Sequence, residues 1–136
     1  MKYLSAQEIL VLHSEIIDTT GGFHGIRDVN LLESIVEGPK QRFGDRELYK
    51  GTFKKAALYI QTLVQYHVFT DGNKRTAAAT VARFLFLNGY ELNATNKALE
   101  KFVLKVATAK IDLELIASWI RNHSYERNWR SREPGV

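Results

Sequence analysis

The amino-acid sequence predicts an all-α domain, a compact bundle of about six helices around a central buried helix. Apolar residues recur at intervals of three and four positions along most of the chain, and no segment reads as a credible strand. Helix stop signals at Gly21-Gly22, Gly38-Pro39 and Asn88-Gly89 separate the periodic segments. Helices joined by short connections are therefore the expected architecture.

The composition indicates one globular domain, because 136 residues with 45% hydrophobic and 25% charged side chains are enough to bury a core. The absence of cysteine excludes a disulfide framework and a thiolate metal site, and it fits a reducing cytosol. No signal core or membrane-spanning run is present, so we expect a cytoplasmic protein without a membrane partner. The net charge of +4 does not predict nucleic-acid binding, because acidic and basic residues alternate through most of the chain.

The first helix is predicted to begin after Ser5, whose hydroxyl forms a capping box with Glu8, and to end at the Thr19-Thr20-Gly21-Gly22 run. Its predicted apolar face consists of Ile9, Leu12 and Ile16, flanked by Leu10 and Ile17. His13 lies beside that face, and we interpret it as a core-edge histidine that is hydrogen-bonded to backbone. The sequence does not assign it a catalytic role.

A second helix follows Asp28, which is placed to cap it, and ends at Gly38-Pro39. Its inward residues are Leu31, Leu32, Ile35 and Val36. Residues 41–50 form a polar connection without helical period. The apolar residues of the next helix are Phe53, Ala56, Ala57, Ile60, Leu63 and Val64. Continuing their period places His67 on the same face at the helix end, so His67 is predicted to point into the fold.

Residues 76–87 are apolar on nearly every side except at Arg83, which predicts the central helix, buried all round. A short extended link over residues 90–92 leads to two further helices. One begins near Asn96, with Leu99, Phe102, Val103 and Val106 inward. The other begins near Asp112, with Leu115, Ile116, Trp119 and Ile120 inward. The predicted domain occupies residues 1–125, and residues 126–136 are predicted to be a frayed basic tail.

Residues 67–76 bring a histidine, a carboxylate, a glycine and two cations into one turn between two helices. The start of a helix offers unpaired amides and a positive dipole end, and Lys74 and Arg75 add charges suited to phosphate oxygens. Asp71 supplies the hard oxygen ligand that Mg²⁺ on those phosphates needs. His67 can accept a proton from an attacking hydroxyl. Each feature alone is usually structural, but the ordered set predicts chemistry on a phosphate.

The run His67-Val68-Phe69-Thr70-Asp71-Gly72-Asn73-Lys74-Arg75 resembles the signature of the Fic/Doc superfamily, and the death-on-curing (Doc) branch fits best. The Fic pattern is His-Pro-Phe-x-Asp/Glu-Gly-Asn-Gly-Arg-x-x-Arg. This chain departs from it at Val68, at Lys74 where Fic has Gly, and at Ala78 where Fic has a second Arg. Lys at the eighth position is the Doc form. The resemblance continues through residues 21–33 and 84–90, covers most of the chain from Ser5 to His123, and implies a Fic/Doc-like helical bundle.

The resemblance also implies an activity and its parts. A Doc-like toxin transfers the γ-phosphate of ATP, with Mg²⁺, to a Ser or Thr hydroxyl of a protein, which in that family is elongation factor Tu, and so arrests translation. On this interpretation His67 is the general base and Asp71 holds Mg²⁺ through the nucleotide. The residues that bind the nucleotide phosphates are then Gly72, Asn73, Lys74 and Arg75.

Three residues or segments have supporting roles in this interpretation. Phe69 is a core residue that anchors the motif loop from below. The resemblance implies that the loop containing Arg27 lies near the mouth of the active site. It also implies that residues 41–50 help to hold the target peptide.

Other functions remain open from the sequence. A Fic-like adenylyltransferase is the main alternative, although its motif wants Gly at position 74 and Arg at position 78. A helical nucleic-acid-binding module that uses the basic tail needs no intact His67. The last alternative is a degenerate family member that has no enzymatic activity and acts only as a binding partner. Because the chain lacks the Ser/Thr-x-x-x-Glu-Gly/Asn inhibitory helix of self-inhibited Fic proteins, we expect an antitoxin to bind in trans, as a helix in a groove.

Overall fold

The computed structural model describes residues 1–127, and the predicted all-α class is confirmed there. The helices are α1 (Ala6–Thr20), α2 (Val29–Glu37), α3 (Thr52–Gln65), α4 (Asn73–Leu87), α5 (Asn96–Thr108) and α6 (Leu113–Asn122). A 3₁₀ turn (Gly38–Lys40) follows α2. Two short antiparallel ribbons accompany the helices: β1 (Arg42–Phe43) pairs with β2 (Arg46–Glu47), and β3 (Tyr90–Leu92) pairs with β4 (Ser124–Glu126). None of these helices has the length and apolar character that a membrane span requires.

The predicted ends of α1 and α2 are confirmed, because they depend on local capping. The Ser5 hydroxyl accepts from the Glu8 amide at 3.1 Å, and the Glu8 carboxylate accepts from the Ser5 amide at 3.1 Å. Asp28 caps α2 through the Leu31 amide. The predicted face of α1 is partly wrong, since its buried residues are Ile9, His13 and Ile17, whereas Leu12 and Ile16 are half-buried. Residues four apart lie in one row along a helix, and this row packs inward.

Helices α3 and α4 form the centre of the bundle. Helix α3 contacts α2, α4, α5 and α6, and every residue from position 55 to 60 is buried. Residues 76–87 of α4 were predicted to be buried all round except at Arg83, but Phe86 is 40% exposed and the alanines at 78, 79 and 82 are only half-buried. Because an alanine buries little area, an apolar sequence there does not require burial on every side. The helix that is enclosed on all sides is therefore α3.

The polar connection predicted over residues 41–50 is the β1–β2 hairpin. Its strands are too short to show an alternating pattern, and their side chains are exposed. Lys55 of α3 holds this hairpin to the core. Its ammonium group is fully buried, donates to the Glu47 carboxylate at 3.0 Å, and also donates to the Tyr49 carbonyl. A buried cation is tolerated only with such partners.

The predicted starts of α5 and α6 are confirmed by the caps that Thr95 and Asp112 provide. In α6 the prediction for Leu115 is wrong, because its side chain is 63% exposed. The extended link at residues 90–92 is strand β3, and β4 continues the chain through Glu126, one residue beyond the predicted end of the domain. Most of the predicted tail, residues 128–136, lies outside the part of the chain that the structure describes.

Replacing Lys55 should loosen the hairpin. Lys55→Ala removes the buried stem and both hydrogen bonds, and we expect a loss of about 3 kcal/mol in the free energy of unfolding. Lys55→Met keeps most of the stem and should cost less. Urea unfolding at neutral pH measures both variants. Equal stability of Lys55→Ala and wild type would contradict the role assigned to this contact.

The same pair has a pH signature. The hydrogen bond from Lys55 lowers the pKa of Glu47, so this contribution to stability is present above the ordinary carboxyl pKa. It is lost as the pH falls through the lowered pKa, and the stability difference between wild type and Lys55→Met should shrink over that range.

Candidate active site at the start of helix α4

His67 lies in the turn between α3 and α4, and its backbone adopts the left-handed conformation with φ of 49°. It is the one non-glycine residue with positive φ among residues 1–127. The prediction that His67 points into the fold is wrong: α3 ends at Gln65, and the left-handed turn breaks the helical period. Val68 and Phe69 take the buried positions, while the His67 side chain is exposed. Strained backbone of this kind concentrates at functional sites.

Phe69 is a core residue of the motif loop, as predicted. Its side chain is fully buried and stacks on the ring of His13, with the ring centroids 3.8 Å apart and the planes within 7°. The loop that precedes α2 runs alongside this segment. The Arg27 amide donates to the Val68 carbonyl at 2.7 Å, and the Thr70 amide donates to the Gly25 carbonyl at 3.1 Å. The loop of Arg27 is therefore next to the motif, and the Arg27 side chain is exposed; its place at the active-site mouth stays a prediction.

Asn73 closes the motif loop on itself. Its side-chain oxygen accepts from the Phe69 amide at 2.9 Å, and its side-chain nitrogen donates to the Phe69 carbonyl at 2.9 Å. Both hydrogen bonds of the Asn73 side chain therefore fix the loop. The backbone amides of Asn73, Lys74 and Arg75 have no acceptor within residues 1–127, and the first helical bond of α4 joins the Thr76 amide to the Gly72 carbonyl. Free amides at a helix start can bind an anion.

Asp71 is surrounded by donors. Its carboxylate accepts from the Phe23 amide at 3.2 Å and from the Gly72 amide at 2.8 Å. These two hydrogen bonds lower the pKa of Asp71, which is therefore ionised at neutral pH. The Gly72 amide is occupied by this contact, so the amides available to a phosphate begin at Asn73.

The two cations of the motif differ in their surroundings. The Arg75 guanidinium donates to the Thr20 hydroxyl and to the Gly21 carbonyl at the end of α1, and it lies 3.7 Å from the Asp71 carboxylate. Lys74 is exposed and makes no ion pair within residues 1–127. Lys74 is therefore the cation available to an anionic ligand, whereas Arg75 fastens the motif to α1.

A cleft of about 620 Å³ opens beside these residues, between the start of α4 and helix α5. The motif contributes residues 71–75 and Ala78 lies deeper along α4, while His67 is not among the lining residues. The opposite wall is formed by the α5 residues Asn96, Leu99, Glu100, Val103 and Leu104. Sequence reasoning missed this wall, because no local signal connects α5 with the motif. The involvement of α1 was also missed, although the four-residue spacing of Ile9, His13 and Ile17 indicated an inward His13.

The protein side chains at this site can bind a divalent cation only if the bound substrate and water supply the remaining oxygen ligands. No group of three or more His, Asp or Glu side chains in the described part of the chain can hold a metal ion. Each Asp71 oxygen keeps a free lone pair beyond its amide contact, and the side chain is 41% exposed. One carboxylate together with phosphate oxygens and water is a common Mg²⁺ environment. Asp71 therefore fits the predicted ion.

The comparisons with known proteins agree with one another. A family model described as the Fic/DOC family matches residues 3–85. The chain is 35% identical over 120 residues to the Toxin Doc of Mycolicibacterium smegmatis, and the match covers 86% of this chain and 89% of that protein. It is 29% identical over 121 residues to the Protein kinase doc of Escherichia phage P1, with 89% and 94% covered.

Gly72 is required by two constraints that a matched variant can separate. Its φ is 77°, and an added Cβ would lie 3.0 Å from the Ile17 side chain. Gly44 has φ of 61° and open space around the same position. We expect Gly44→Ala to cost about 1 kcal/mol of unfolding free energy from the backbone alone, and Gly72→Ala to cost more. Urea unfolding measures both, and equal losses would contradict the close contact with α1.

Proposed function

The chain belongs to the Fic/DOC family, and on that premise we propose that it is a Doc-like toxin that transfers the γ-phosphate of ATP to a Ser or Thr hydroxyl of a target protein. The observation that carries the proposal is Lys74, an exposed cation at the start of α4 that makes no ion pair within residues 1–127, at the position where the Fic pattern has glycine. The names of the two relatives, a toxin and a protein kinase, support the same activity.

The phosphates of ATP bind at the start of α4. The free amides of Asn73, Lys74 and Arg75 lie at the positive end of the helix dipole, and Lys74 adds a full positive charge. Asp71 would hold Mg²⁺ through its remaining lone pairs, and a bound ion would supply positive charge beside the transferred phosphoryl group. On α5, Leu99, Val103 and Leu104 give the cleft an apolar surface beside which the nucleoside can lie.

His67 accepts the proton of the attacking hydroxyl. Its exposure suits this role, because a hydroxyl on another protein must be able to reach the imidazole. The backbone on its C-terminal side is immobilised, since Val68 and Phe69 are buried and the Arg27 amide holds the Val68 carbonyl. An exposed base on a rigid loop is preorganised for a macromolecular substrate.

Lys74 and Ala78 favour phosphate transfer over adenylyl transfer. A lysine fills space that a glycine at the same position leaves open beside the helix start, and Ala78, which lines the cleft, lacks the guanidinium that Fic proteins have there. We propose that the nucleotide therefore presents its γ-phosphate to the hydroxyl near His67. The target in this proposal is elongation factor Tu, and the cellular effect is arrested translation.

The antitoxin partner has a suitable surface. A second cleft, of about 830 Å³, lies between α5 and α6, with the exposed Leu104 and Leu115 on its walls. Its cations are Lys101, Lys105 and Lys110, and none of them makes an ion pair within residues 1–127. An apolar groove with a basic rim suits an acidic amphipathic helix. We assign this groove to the antitoxin.

The decisive experiment measures which phosphate of labelled ATP is transferred to the target protein. Incubated with elongation factor Tu and Mg²⁺, the protein should transfer label from γ-labelled ATP and none from α-labelled ATP, and the target should gain the mass of one phosphate. His67→Ala is the control, because it should fold normally by circular dichroism yet lose on the order of a hundredfold or more in rate. Label from the α position, with an adenylyl mass, would instead support the Fic-like alternative.

Lys74→Gly tests the residue that carries the proposal. It should lower γ-phosphate transfer by about tenfold or more, since a charge-assisted contact to phosphate is lost. Lys97→Gly is a matched control, because Lys97 is also an exposed second residue of a helix that begins with asparagine, yet it does not line the cleft. Steady-state kinetics with both variants measures the difference. Equal rates for the two variants would remove Lys74 from the phosphate site.

A further inference from the structure

His13 lies beneath the motif loop although it belongs to the first helix. Its side chain is 3% exposed, its Nε2 atom is 2.7 Å from the Asp71 carbonyl oxygen, and its ring stacks on Phe69. The geometry points to His13 as a positioning residue of the proposed active site, which holds Asp71 through a hydrogen bond and Phe69 through a ring stack. The inference rests on the proposed function for its kinetic consequence and on the contacts alone for its structural one.

The hydrogen bond requires a particular form of the ring. A carbonyl oxygen can only accept, so Nε2 of His13 must carry the hydrogen and donate it. Because His13 is buried and the hydrogen bond is part-buried, losing the donor would leave the Asp71 carbonyl without a partner in the protein. Residue 13 must therefore supply a hydrogen-bond donor to the Asp71 carbonyl, and an apolar side chain of similar size cannot supply one.

The two contacts of His13 fall on either side of the motif's exposed residue Thr70. Phe69, whose ring His13 supports, has its backbone amide and carbonyl bound by Asn73. The Asp71 carbonyl, to which His13 donates, belongs to the peptide unit that leads into Gly72 and α4. His67 lies two residues before Phe69 in the same turn. A shift of this loop would move the base, the metal-binding carboxylate and the free amides together.

The magnitude of such a shift need not be large. A displacement of about 1 Å at a catalytic group can cost on the order of a hundredfold in rate. Packing alone does not account for a histidine here, because burying an imidazole is unfavourable unless it is hydrogen-bonded. The neighbouring inward positions of α1 are Ile9 and Ile17, which shows what packing alone selects on this face.

Two variants separate the contacts. His13→Phe keeps an aromatic ring against Phe69 and removes the hydrogen bond to Asp71. His13→Gln keeps an amide donor and removes the stacked ring. Ile9→Ala is the control for general destabilisation, since it removes buried volume one turn away on the same face of α1. All three are made in the full chain.

The first measurement is amide hydrogen exchange by NMR, which needs neither nucleotide nor target. We expect His13→Phe to accelerate exchange at Phe69 and Gly72 by about tenfold relative to the buried amide of Ile120 in α6. Ile9→Ala should change all of these amides in proportion. Unchanged exchange at Phe69 and Gly72 in His13→Phe, or the same local acceleration in Ile9→Ala, would overturn the inference.

The second measurement is γ-phosphate transfer. His13→Phe should lower kcat by about tenfold or more with a smaller change in the KM for ATP, and His13→Gln should recover part of the loss. A kcat for His13→Phe equal to that of Ile9→Ala would overturn the positioning role. If wild type transfers no phosphate while the exchange effect is present, the proposed function fails and the positioning of the loop by His13 stands.

Discussion

The arrangement of the motif loop depends on the hydrogen bonds that Asp71 makes with α1, with the loop after α1 and with Gly72. Its carbonyl accepts from His13 of α1, and its carboxylate accepts from the amides of Phe23 and Gly72. Arg75 adds a second connection to the end of α1. One residue therefore ties the first helix, the loop after it and the start of α4 together. The start of α4, with its free amides, is held in place by a helix far away in sequence.

These contacts divide the polar residues of the motif into two groups. Asp71, Asn73 and Arg75 make hydrogen bonds that build the loop, although the Asp71 oxygens keep free lone pairs, whereas His67 and Lys74 are exposed and have no side-chain partner within residues 1–127. Polar side chains that already satisfy one another keep a strained loop in a single conformation. The unpaired ones remain available to bind ligand and accept a proton. The sequence predicted ligand-binding or catalytic roles for all of these polar residues, whereas the structure shows that some of them also hold the loop together.

Two glycines allow the backbone to lie close to neighbouring side chains at this site. An added Cβ at Gly22 would lie 2.6 Å from the Asp71 carboxylate, so the segment that ends α1 also has to come close enough for the Phe23 amide to reach Asp71. Gly72 lies against Ile17 in the same way. Packing of α1 against α4 and formation of the motif loop are consequently coupled. Destabilising α1 should therefore affect both the fold and the site.

The sequence by itself determined the helix starts at Ser5 and Asp28, the helical class and the motif, because caps and helical periods act over about four residues. Only the tertiary structure decided that His67 faces outward, since a left-handed turn ends the period that predicted it inward. It also decided the pairing of β3 with β4, the cleft wall on α5 and the partner of His13. Each of these joins segments far apart in the chain, and no local pattern specifies which distant segment will pack there.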